Sequence, residues 1–258
     1  MTDQTKPPRP SRWKLYALVA ALGLGEVTPW PAAAGTSPPA PVADPGNLLL
    51  LRSARDRNRV VKRNAGASLV DLGDGVLCLE FHSKMNALDD MIFPMYSRAL
   101  DLLDEGRFDA LVVGNQGHVG SSGAFCAGAN LGNLMESSDE SLGRIYAGFL
   151  RIANSTLPTI AAVNGAAVGA GMNLALGCDI RVASSTAKLN PGFAKRGILP
   201  ESGGTWLLPR MVGYAKAAEI AFTGRTLLAD EAYALGLVNH VVAPDELVER
   251  TRLLAGDV

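Results

Sequence analysis

Two glycine- and alanine-rich stretches hold the residues of this chain best suited to chemistry: SSGAFCAGANLG (residues 121–132) and TIAAVNGAAVGAGMNLALGCD (residues 159–179). Each reads as a tight turn entered from a β-strand, and the second runs directly into a helix. Glycine lets backbone approach a ligand closely, and the first N–H groups of a helix have no internal acceptor. Two such turns brought together by a fold hold a carbonyl oxygen between two N–H donors. That arrangement is an oxyanion hole, which stabilises negative charge as the carbonyl becomes enolate-like.

The elements that must position these turns alternate between strand and helix, which implies α/β architecture. Ser68–Phe81 reads as a hairpin around Gly73-Asp74-Gly75. Asp89 and Asp90 stand where they can cap a helix whose apolar positions are Ile92, Met95, Ala99, Leu102 and Leu103, with Pro94 tolerated in its first turn. Ala110–Asn115 reads as a buried strand leading to the first turn. A helix is expected over Asp139–Asn154, ended by Pro158, and strands over Thr159–Val163 and Cys178–Ser184. Beyond Gly213 the pattern is mostly helical, and Trp206 with the Leu-Leu-Pro after it reads as packed core.

A chain of 258 residues is long enough for a full core. Its 24 Lys and Arg against 25 Asp and Glu argue against a general nucleic-acid surface. Cys78, Cys126 and Cys178 are odd in number and lack ligand spacing, so they read as buried reduced thiols, and no metal site or Ser–His–Asp set can be assembled. At the N-terminus, Lys6, Arg9, Arg12 and Lys14 precede the apolar run Leu15–Gly25 and the small residues Ala32–Gly35, an order that imitates a secretory signal. The apolar run is too short to span a membrane. The preferred reading is an N-terminal extension and proline-rich linker over residues 1–65, with its basic Leu51–Asn64 segment a solvated connector, followed by a core over 66–258.

The paired turns resemble those of the crotonase superfamily, the enoyl-CoA hydratases and isomerases, from about Leu69 to the end of the chain. The segment Val60–Leu88 is similar to hydratase domains fused behind hydroxyacyl-CoA dehydrogenases, although no GxGxxG fingerprint follows a strand and NAD is not implied. The resemblance implies a ββα spiral with two nearly perpendicular sheets wrapped by helices. It also implies an acyl-CoA thioester as ligand, no separate cofactor, a cytoplasmic location, and a homotrimer or dimer of trimers. It assigns the oxyanion donors to the N–H groups of Ala129 and Ala170, with Ala127, Gly128, Asn130, Leu131, Gly169 and Gly171 around them and Asn86 near the CoA.

The resemblance also places the two glutamates that serve water addition on Asn173 and Phe193, neither of which can exchange a proton. Isomerase-like members instead carry an acid at the position of Glu201. One carboxylate suffices to move a proton from C2 to C4 of a 3-enoyl thioester, and burial in an apolar pocket would make it a stronger base. The expectation is therefore a Δ3-Δ2 enoyl-CoA isomerase, with hydratase and non-catalytic thioester binder as alternatives. Lys84, Lys188 and Lys195 read as solvated and Asp179 as structural. The family's further C-terminal helices are expected to be missing beyond Val258, leaving an exposed apolar face.

Overall fold

A computed structural model describes residues 59–89, 91–115, 123–129 and 139–258. The main sheet has seven strands in the order β1-β2-β3-β4-β5-β7-β10. They are β1 (Val60–Arg63), β2 (Ala67–Gly73), β3 (Val76–Phe81), β4 (Ala110–Gly114), β5 (Thr159–Val163), β7 (Ile180–Ser184) and β10 (His240–Val242). The first three pair antiparallel and the rest parallel. A smaller mixed sheet joins β6 (Ala166–Val168), β8 (Lys188–Asn190) and β9 (Leu227–Leu228). The expected α/β architecture with two sheets is therefore present.

Both faces of the main sheet are covered, as strand alternation dictates. Leu69, Leu77, Leu79, Leu111 and Val113 pack on α1 (Ile92–Asp104) and α3 (Ala170–Gly177). Their neighbours Val70, Val76, Cys78, Val112, Ile160 and Val182 pack on α7 (Leu247–Gly256). Between them in the chain lie α2 (Asp139–Ala153), α4 (Gly204–Val212), α5 (Tyr214–Thr223) and α6 (Ala229–Ala234).

The hairpin turns where Gly73-Asp74-Gly75 requires it, all three with positive φ. Asp89 Oδ1 accepts the Met91 and Ile92 N–H groups at 2.9 and 3.2 Å, opening α1 with Pro94 in its first turn. Asp90, the other proposed cap, lies outside the described residues, as does the segment over residues 1–58. The three cysteines are buried and unpaired with one another.

Two expectations are corrected and one is borne out. Val60–Arg63, within the supposed connector, forms an edge strand on β2, although Val61, Lys62 and Arg63 stay exposed as a solvated segment would. The region after Gly213 is mostly helical, as expected, with Leu227–Leu228 and His240–Val242 as its short strands, the latter a parallel edge on β7. Trp206 is not core: it is 41% exposed, and the Arg210 guanidinium stacks 3.8 Å above its ring.

Candidate active site

The chain leaves the main sheet after β5, crosses to β6 and enters α3. At that crossing it meets the first glycine-rich turn. Cys126 N donates to Ala166 O at 3.1 Å and Val168 N donates to Cys126 O at 3.0 Å, zipping the two turns together. The approach is close enough to require glycine. A Cβ on Gly171 would lie 2.3 Å from Cys126 O, and one on Gly128, where φ is +97°, would lie 2.8 Å from Val168 O and 3.7 Å from Ala170 N.

The first turn is braced from behind. Asn86 Nδ2 donates to Ala124 O at 2.7 Å, Ala127 N to Met85 O at 3.3 Å, and Leu88 N to Gly128 O at 2.9 Å. Asn86 itself holds a left-handed backbone, with φ 53°. These bonds use backbone groups of Ala124, Ala127 and Gly128, which lead up to Ala129. Among the described residues, neither the Ala129 N–H nor the Ala170 N–H meets a protein acceptor. The Ala170 donor is also the first residue of α3, where the positive end of the helix dipole favours an anion.

Both turns line one cleft of ≈ 70 Å³, with Ala127, Gly128, Ala129, Gly169 and Ala170 on one side and Phe193, Arg196 and Glu201 on the other. Glu201 is half-buried, in the loop before α4. Its Oε2 accepts the hydroxyl of Tyr146 from α2, and its backbone carbonyl accepts Asn173 Nδ2 at 2.7 Å. The bond to Glu201, then burial and the carboxylate's charge, push the Tyr146 phenol up to about 12, so it remains a donor at any working pH. Burial pushes the Cys126 thiol up to about 12 as well, which marks it as packing.

Not every candidate stands in this cleft. Gly171 lies behind it against Cys126, Asn86 supports the first turn, and Asn173 is buried beneath the Glu201 loop. Asn130 and Leu131 lie outside the described residues. Lys84, Lys188 and Lys195 are exposed, while Asp179 Oδ2 accepts the Thr159 N–H and hydroxyl at 2.9 and 2.8 Å, a structural role. Two residues escaped the sequence reading. Arg196 sits in the three-residue turn after Phe193 and brings a cation to the cleft, and Tyr146 lies 55 positions before its partner. Among the described residues no cluster of side chains suits a metal ion, and no helix is long and apolar enough to cross a membrane.

The sequence model of the enoyl-CoA hydratase/isomerase family matches residues 72–258. The bovine (Bos taurus) mitochondrial enoyl-CoA hydratase domain-containing protein 2 is 41% identical over 184 residues, covering 68% of this chain and 61% of that protein. Human (Homo sapiens) mitochondrial methylglutaconyl-CoA hydratase is 39% identical over 166 residues, covering 62% of this chain and 48% of its own. The chain thus spans about three fifths and about half of the lengths of these two relatives. The crystal structure of an enoyl-CoA hydratase from Bacillus anthracis superposes with a TM-score of 0.68 at 29% identity, covering 74% of this chain and 76% of that one. These relatives carry hydratase names and none is named as a dehydrogenase fusion. The likeness of Val60–Leu88 to fused hydratase domains therefore gives way to likeness to these proteins.

Proposed function

We propose that this chain, which belongs to the enoyl-CoA hydratase/isomerase family, moves a proton along the acyl chain of a CoA thioester by way of a bound enolate. One observation carries the reading: among the described residues, a cleft presents two backbone donors without a protein acceptor opposite one carboxylate, that of Glu201. The thioester oxygen accepts the Ala129 and Ala170 N–H groups. Glu201 takes a proton from C2 of a 3-enoyl group, the electron pair moves into a dienolate, and the same carboxyl returns the proton at C4. The double bond passes from C3–C4 to C2–C3, with no net gain or loss of atoms. Preorganised donors of this kind are worth about 10²–10³ in rate each, because they need not reorient as charge develops.

The names of the relatives favour a second reading, hydration of a 2-enoyl thioester. Water addition needs one group to activate water and another to deliver a proton. Asn173 and Phe193 supply neither, which among the described residues leaves Glu201 with the Tyr146 hydroxyl as the available pair. Supplying a 3-enoyl-CoA and a 2-enoyl-CoA separately distinguishes the two reactions. Isomerisation raises the absorbance of the conjugated thioester, hydration lowers it, and Glu201→Gln should abolish whichever occurs. Turnover that survives Glu201→Gln would remove Glu201 as the proton carrier, and a protein that binds thioesters without either reaction would be a binder.

The cytoplasm is the proposed location, since CoA thioesters occur there, while the relatives named mitochondrial make an organelle matrix the alternative. Self-association, as a trimer or dimer of trimers, is proposed from the likeness to the superfamily. Tyr214 and Phe222, both 79% exposed on α5, supply apolar surface for it.

A further inference from the structure

The residue that follows Glu201, and both side chains that hydrogen-bond to it, line a second and larger cavity. It holds ≈ 410 Å³ between α2, α3 and α4. Tyr146, Asn173 and Ser202 form its end nearest Glu201, and Phe149, Leu174 and Leu207 are among its apolar walls. Among the described residues no Asp, Glu, Lys or Arg lines it. Its polar groups at that end are committed or weak. The Tyr146 hydroxyl goes to Glu201 Oε2, and the Asn173 amide goes to Glu201 O. Ser202 Oγ, on a residue 7% exposed, has no partner among the described residues. Asn154, the other polar side chain on the wall, is engaged already, and neutral groups such as these cannot offset a buried carboxylate, whose desolvation costs several kcal/mol unless it is paired.

We propose that this cavity seats the distal part of the acyl chain, and that the chain it accepts is an uncharged hydrocarbon rather than one ending in a carboxylate. The inference rests on the enolate reading above, because that reading fixes the direction of the ligand. With the thioester oxygen at Ala129 and Ala170 and the reacting carbons at Glu201, the chain continues past Glu201. The cleft itself, at ≈ 70 Å³, has no room for it, and the larger cavity begins at the next residue. Leu150, 62% exposed on α2, stands at the outer margin. The Tyr146–Glu201 bond forms the threshold between the two spaces.

Saturated acyl-CoAs test the cavity without chemistry, since they cannot isomerise or add water. Titration calorimetry with butyryl-, octanoyl- and glutaryl-CoA should show octanoyl-CoA binding about tenfold or more tighter than butyryl-CoA. The ceiling is about two hundredfold for four further buried methylenes. Glutaryl-CoA should bind no tighter than butyryl-CoA. Ala153→Phe, on the cavity wall, should erase the gain with chain length and leave butyryl-CoA binding unchanged. Leu150→Glu alters an exposed position that does not threaten folding, and should weaken octanoyl-CoA alone.

A flat response to chain length, a gain that survives both variants, preferential binding of glutaryl-CoA, or no binding of any of the three would overturn the proposal. Octanoyl-CoA preference in a protein that turns over neither enoyl-CoA would uphold the cavity and remove the catalytic reading. Turnover without chain-length preference would do the reverse.

Discussion

Gly171→Ala is the most direct test of how the two proposed oxyanion donors are held. The new methyl would stand 2.3 Å from Cys126 O and 2.8 Å from Cys126 Cβ and Sγ. Ordinary contact begins about 1 Å further out, so α3 or the first turn must move by about that much. The first turn cannot yield cheaply, because Cys126 N and O are both bonded to β6. Movement therefore falls on the N-terminus of α3 and carries the Ala170 N–H with it. Overpacking of this kind costs about 1–3 kcal/mol of stability, and a 1 Å displacement of a preorganised donor costs about a hundredfold in kcat. Urea denaturation and initial rates with an enoyl-CoA read the two effects separately. Gly143→Ala in α2 is the control, since nothing lies within 4 Å of its Cβ, and it should gain up to about 1 kcal/mol. Because the nearest obstacle is a backbone oxygen, adding Cys126→Gly should not rescue Gly171→Ala. A Gly171→Ala protein with full kcat and unchanged stability would refute the idea that this contact sets the donor pair.

Tyr146→Phe removes the hydroxyl that Glu201 Oε2 accepts, leaving the carboxylate one donor short and free to rotate. We expect kcat to fall about fivefold with unchanged affinity for a saturated acyl-CoA, and an equal loss of affinity would instead mark Tyr146 as a binding contact. Burial, and then the charge of Arg250, hold the His240 imidazole below its usual 6.5. The unfolded chain therefore binds the additional proton, and stability must rise with pH. His240's contribution should be complete above 6.5 and decline as pH falls from there toward the folded-state value. Comparing urea midpoints at about pH 7.5 and about pH 5.5 for wild type and His240→Gln checks the sign, because the variant should lose less on acidification.

What could be read from the residues, and what could not, divides by the range of the signal. The turns were legible because their demands are local: Gly73-Asp74-Gly75 makes a hairpin whatever surrounds it, and a strand running into Gly169-Ala170-Gly171 leaves unpaired N–H groups at a helix start. β5 was legible as a short apolar run bounded by Pro158 and Gly165. By contrast, β10 is three half-buried residues whose pairing with β7 depends on chain 58 positions away, such as Asn239 Oδ1 accepting Arg181 N–H. Trp206 failed for a related reason, because stacking under Arg210 at the surface satisfies an indole as well as core packing does. Tyr146 had no local signature at all. A tyrosine on an amphipathic helix points at Glu201 only once α2 is laid across the loop before α4.

Asn173 shows why identifying a motif position does not by itself identify a role. The resemblance places a hydratase glutamate there, and on that ground alone Asn173→Glu would restore hydration. The local contacts argue otherwise. Asn173 is 4% exposed, its Nδ2 donates to the carbonyl of Glu201, and a Cβ on Gly204 would stand only 2.6 Å from that nitrogen. A glutamate would exchange the donor for an acceptor facing another acceptor. It would also add a methylene where Gly204 already marks the closest approach, and bury a carboxylate without a partner, at about 1–3 kcal/mol or more. The loop that carries Glu201 would have to move. We therefore expect Asn173→Glu to lose isomerisation by tenfold or more and to gain no hydration, with a lowered urea midpoint. Asn173→Asp, which keeps the size and loses only the donor, should fall between it and wild type. Measurable hydration of a 2-enoyl-CoA by Asn173→Glu at wild-type stability would show that position 173 faces the substrate rather than the loop, and the single-carboxylate mechanism would fall with it.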